Sequence, residues 1–248
     1  YNYDPKRDER IEARENLLDS MTDATNKYVV SLSPHVTRDV DNRRQNRLLK
    51  SLICYERIGD LAVNITNEVE KLREENKQFS ETALRELRVA FDIIMDAVEE
   101  IIGMAVDCTK QLNTFDAAKI EPLEEVIDDL VEDLNARHVY RMVNSICDPI
   151  NGIRYQSILT NLEHISDKCS DIAIYIIEGD HTDIFGREHS YVHELHHSNN
   201  HEYMQSYADD YSRYFKALDA IPSVSDHVIE DIAEAPAEKS RKEQSERL

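Results

Sequence analysis

Eight carboxylates in this chain fall into four pairs with a common spacing: Glu15 with Asp19, Glu56 with Asp60, Glu124 with Asp128, and Glu163 with Asp167. On a helix, residues four apart share one face, with Cβ atoms about 5–6 Å from each other. Two such helices packed face to face would bring four carboxylates into a small volume. Carboxylates that close repel one another unless they take up protons or cations. A donor set made only of oxygen favours iron, manganese, magnesium or calcium over zinc or copper.

A single Glu-x-x-x-Asp pair is weak evidence in a chain with 50 acidic residues. Register raises the signal. Ile11, Glu12, Glu15 and Asp19 recur identically 109 residues later as Ile120, Glu121, Glu124 and Asp128. Asp23 and Asn26 meet Glu132 and Asn135 at the same offset. Glu56-Arg57-Ile58-Gly59-Asp60 faces Glu163-His164-Ile165-Ser166-Asp167 at an offset of 107. Two similar halves, each with two marked helices, follow. Surroundings add to it. On a helical wheel Glu56 and Asp60 share a sector with Leu49, Leu52, Ile53 and Val63, which should face the core without a basic neighbour. Glu124 and Asp128 adjoin Ile120, Ile127 and Val131. The sector of Glu163 is more polar, with Gln156, Thr160 and Ser170. Metal binding and carboxylates paired through hydrogen bonds or water both stay open on this basis.

Other chemistries fare worse. Di-iron bundles place His at i+3 from Glu, whereas the i+3 residues here are Leu18, Gly59, Ile127 and Ser166. His193-Glu194-Leu195-His196-His197 matches the zincin pattern, with His193 and His197 as ligands and Glu194 as base. It lacks the metzincin continuation, because Asn200 and Tyr203 stand where Gly and His are needed. It also sits in a His-rich polar stretch near the end, so a zinc metalloprotease is the disfavoured alternative. No Gly-rich phosphate loop, nucleophile elbow or dinucleotide fingerprint occurs. The expectation is a protein that is not an enzyme.

The elements that must position these acids are helices. Only 5 Gly and 6 Pro occur, too few for the turns of a β-rich fold. Helical periodicity runs from about Asp8 to Leu32, Asp41 to Asn76, Ser80 onward, Thr114 to Ser145, and from Pro149 to about Glu178. A Tyr-rich helix follows near 203–218, and the end from Pro222 reads as a disordered tail. The expected divisions are 1–78, 79–178, a connector and helix over 179–221, and a tail over 222–248. A net charge of −21 opposes nucleic acid and direct contact with anionic lipid. Cys54, Cys108, Cys147 and Cys169 show no paired spacing, so a reducing compartment is expected. No apolar run approaches the ~20 residues that span a bilayer. The chain opens at Tyr1 rather than Met, and a piece of a longer polypeptide is expected.

Tyr55-Glu56-Arg57-Ile58-Gly59-Asp60-Leu61-Ala62-Val63-Asn64-Ile65 resembles the signature helix of PhoU domains, as does Leu162 to Ala173 with its Ser166-Asp167-Lys168-Cys169-Ser170 run. Glu121-Pro122-Leu123-Glu124 and Tyr191-Val192-His193-Glu194-Leu195 look specifically like the C-terminal cytoplasmic domain of prokaryotic sodium/phosphate cotransporter proteins. The resemblance covers about residues 8–217. It implies an all-α fold of two tandem three-helix bundles and multinuclear metal on Glu15, Asp19, Glu56, Asp60, Glu124, Asp128, Glu163 and Asp167. It also implies a regulatory role in phosphate uptake through a membrane transporter domain, in the cytoplasm and tethered to the inner side of the membrane. A free-standing adaptor for a phosphate ABC transporter and its sensor kinase is the alternative. Two departures stand out. Lys168 and Asp171 replace the family's usual His and Asn, which alters the charge of the second site. The first bundle lacks its first helix: the given chain begins too late to include it, or the Tyr-rich helix near 203–218 fills the gap, or a second copy, in a homodimer, does so.

Overall fold

The computed structural model describes residues 5–106, 120–177 and 201–222. Six long helices run in order, with no strand among the described residues. They are α1 (Pro5–Leu32), α2 (Asp39–Glu74), α3 (Glu81–Val106), α4 (Ile120–Val143), α5 (Pro149–Ile177) and α6 (His201–Asp219), and a 3-10 turn at Ser33–His35 joins the first two. The all-α expectation holds among the described residues, with boundaries there within a few residues of the periodicity; the expected start at Thr114 lies outside the described residues. His193, Glu194 and His197, the connector ahead of His201 and the tail from residue 223 lie outside the described residues.

Local chemistry sets the ends. The Ser80 hydroxyl accepts the Ala83 N–H at 3.2 Å at the start of α3, and Asp148 Oδ1 accepts the N–H groups of Ile150 and Asn151 at 2.9 and 3.4 Å behind Pro149. Asp39 and Asp41 open α2, while Lys71 and Arg73 close it, matching the helix dipole at both ends. Past the ends of α2 and α4 the chain turns at Asn76 and Ser145, which have φ of 53° and 57°. There the N–H of Lys77 reaches the Leu72 carbonyl and that of Ile146 the Arg141 carbonyl, both at 2.8 Å, which stops the helices.

Helices α3, α4, α5 and α6 pack on one another, α2 lies along α5, and α1 packs on α2. The core sits among α3, α4, α5 and α6: Ile93, Val126, Leu130, Leu134 and Leu159 are fully buried. The Tyr-rich α6 covers α4 and α3. It therefore does not fill the gap in the first half, and that expectation is corrected: its apolar face (Tyr203, Tyr214, Leu218) finds deeper cover on the second core than a two-helix pair can offer. Inside the same core Arg141 donates to both oxygens of Glu86 at 2.8 and 2.7 Å, and the Tyr155 hydroxyl donates to Glu86 at 2.9 Å.

Candidate metal centres

Helices α4 and α5 each carry one marked pair, and their packing joins three of the four acids. Glu124, Asp128 and Asp167 each offer a carboxylate oxygen, and these atoms lie within 4.8 Å of one another. Ile120, Ile127 and Val131 beside them are buried as expected, so α4 presents Glu124 and Asp128 along the edge of an apolar seam. Burial pushes the Asp167 carboxyl above its ordinary range, with His164 and Lys168 pulling the other way and Asp171 adding to the rise. An acid held near two others and partly withdrawn from water favours a proton or a cation. Glu163, half-buried one turn earlier on α5, is not part of this trio.

Lys168 and Asp171 do not enter the trio either. Lys168 Nζ donates to Asp171 Oδ2 at 2.6 Å. Both line a groove of about 360 Å³ between α2 and α5, opposite Glu56 and Asp60 of the first half. The altered charge at these two positions is therefore largely neutralised within the pair.

The first half is more open. Glu15 titrates above its ordinary value because it is partly desolvated and because Asp19 and Asp60 stand nearby. Asp19 Oδ1 is buried without a hydrogen-bond partner. These three acids are electrostatic neighbours, yet no trio as tight as the first forms among the described residues of this half. Glu56 is exposed. Two expectations fail here. Ile53 is 67% exposed rather than core-facing, because among the described residues α2 packs chiefly against α1 and α5. Asp60 does have a basic neighbour, Arg57 Nη1 at 3.4 Å. Gly59 lets α1 approach α2 at this point: a Cβ there would stand 2.9 Å from Leu18 Cδ2 and 3.8 Å from Glu15 Cγ.

Around the trio of Glu124, Asp128 and Asp167 lie supports that the motifs did not reveal. Ser170 donates its hydroxyl to Glu121. Tyr203 donates to Glu125 and Tyr207 to Asp129, each at 2.6 Å. The tyrosines of α6 thus grip the residues that follow Glu124 and Asp128 in sequence. The visible signal was a set of tyrosines at three- and four-residue spacing, but nothing in it named the acids they meet.

The donor chemistry fits a hard cation: oxygen only, one trio within 4.8 Å, and a raised carboxyl in each half.

Residues 91–176 match the sequence model of the PhoU domain family. That stretch holds the Leu162–Ala173 motif and Glu124, Asp128, Glu163 and Asp167, and it leaves Tyr55–Ile65 outside. The fold is similar to the crystal structure of the phosphate transport system regulatory protein PhoU from Streptococcus pneumoniae, with a TM-score of 0.58 and 18% identity over 72% of this chain and 81% of that one. At that identity the likeness is one of fold. No curated protein sequence matches the chain.

Proposed function

We propose that this chain is a non-catalytic regulatory domain of phosphate uptake, which holds hard metal ions on paired carboxylates and acts on a membrane transporter domain. One observation carries the reading: Glu124, Asp128 and Asp167 converge within 4.8 Å inside the stretch that matches the PhoU domain. When bound, a divalent cation would neutralise acids that otherwise repel, and so fix the spacing of α4 and α5. Glu124 and Asp128 supply donors from α4 and Asp167 from α5. Glu15, Asp19, Glu56 and Asp60 would form the second, more exposed site. The sodium/phosphate cotransporter context rests on the Ser-Asp-x-Cys-Ser form and the Glu121-Pro122-Leu123-Glu124 stretch. A second reading, the free-standing adaptor, is favoured by the structural likeness to a phosphate transport system regulatory protein. No described helix is long and apolar enough to cross a membrane, which suits a domain working beside a membrane partner.

Elemental analysis of the purified protein tests the reading, beside an Asp128→Asn/Asp167→Asn variant and a Glu15→Gln/Asp19→Asn variant. Bound iron, manganese, magnesium or calcium should fall in the first variant and fall further when the two are combined. A protein that stays free of metal after reconstitution with each cation would reduce all eight acids to bundle architecture.

A further inference from the structure

The internal repeat shows what the first half lacks. At the offset that aligns Glu15 with Glu124, Leu17 and Met21 of α1 correspond to Val126 and Leu130 of α4. Val126 and Leu130 are fully buried, whereas Leu17 and Met21 are 59% and 60% exposed. The α4 face is covered because α3 and α6 pack against it; among the described residues α1 packs on α2 and has no such cover. Its outer stripe continues through Ala24 to Tyr28, which is 64% exposed. Leu17, Met21, Ala24 and Tyr28 follow a 4-3-4 spacing, the seam of a helix that expects a helical partner.

A second uncovered seam lies on α3. Its inner face is in the core, yet Phe91, Met95 and Ile102 are 37%, 50% and 51% exposed on its outer side, with half-buried Val98 between them. This stripe has the same 4-3-4 spacing and the same length as the one on α1. One chain therefore carries two matching apolar seams, and α3 belongs to the very group of helices that covers the α1-equivalent face in the second half. We infer that two copies of this chain form a symmetric dimer in which α3 of each copy lies along α1 of the other and completes the first bundle. A two-fold arrangement uses both seams twice and leaves neither open, so the assembly closes at two. Filling both seams removes on the order of 600 Å² of apolar surface per copy, at roughly 200 Å² for a full large side chain, against ~800 Å² per partner in a standard interface.

Sedimentation at about 50 μM tests the inference. The parent should run as a dimer. Met21→Glu and Met95→Lys, each alone, should weaken it by roughly a hundredfold, since each puts a charge into both seams. Helix content should hold, because both residues are half exposed in the single chain, while the urea midpoint of each variant should fall only by what the lost association contributed. Val143→Glu, at a position 78% exposed on α4 away from both seams, should leave the dimer intact. The decisive step is mixing the two monomeric variants. A mixed pair has one native seam and one in which the introduced carboxylate faces the introduced ammonium group, so dimer should return. A monomeric parent overturns the inference, as would cover from elsewhere in a longer polypeptide. So does a dimer untouched by both substitutions, or a mixture that stays monomeric.

Discussion

Glu86 stands on the inner face of α3 among Ala83, Leu87 and Ala90, 1% exposed. Its charge is tolerable there because Arg141 binds both of its oxygens and Tyr155 adds a third donor. Removing one partner strands the other in the core. Arg141→Met should therefore cost about 3–5 kcal/mol in urea unfolding, while Glu86→Leu/Arg141→Met should cost far less. His138 next to this network is 1% exposed, stacked on Tyr155 at 4.8 Å, and its Nε2 has no hydrogen-bond partner. Burial first, then the Arg141 charge, hold it below the usual imidazole value of 6.5. The unfolded chain takes up that proton near the usual value and the folded chain resists it. Stability from this residue is thus present above about pH 6.5 and lost as pH falls toward the lower folded value. Glu15 and Asp167, with raised carboxyls, act in the opposite sense at lower pH. A comparison of the parent with His138→Leu isolates the histidine: the fall in urea midpoint between pH 7.5 and 5.5 should shrink in the variant.

At the scale of the element, helix α6 binds α4 through polar tips on an apolar body, the hydroxyls of Tyr203 and Tyr207 each meeting a carboxylate. Replacing Tyr203 by Phe should cost about 1–2 kcal/mol of stability, and Tyr207→Phe less, since Tyr207 is only half-buried. Far-ultraviolet circular dichroism with urea titration checks both. The helices themselves were legible in the sequence because caps and 3.6-residue periodicity are local. Which helices meet was not. Leu17 and Met21 stand at the same repeat positions as Val126 and Leu130, yet only the latter are covered. Periodicity reports that a face wants burial, not that something covers it. Ile53 misled for this reason. Glu86 was not singled out in the sequence, because its partner Arg141 lies 55 residues away. The Glu-x-x-x-Asp pairs were legible as four same-face pairs; that Asp167 and not Glu163 joins Glu124 and Asp128 depends on how α5 is rotated against α4, which no spacing within one helix encodes.

For the molecule as a whole, the two halves share a repeat but not an environment. The second is a four-helix assembly with a filled interior, and the first is a pair of helices leaning on it. Helix α2 has 36 residues, about 54 Å at the standard rise, and it is attached to α1 on one side and α5 on the other. Mechanically it is a beam clamped along its length to the stiff body, so it moves with that body. Helix α1 rests along the beam, approaching it closely at Gly59. Within a single chain, among the described residues, a force applied to α1 meets the compliance of its packing on α2, while a force applied to α4 meets the stiffness of a packed core. The carboxylates of Glu15 and Asp19 ride on the compliant part, so a cation held there, as proposed above, would fix how α1 lies on the beam.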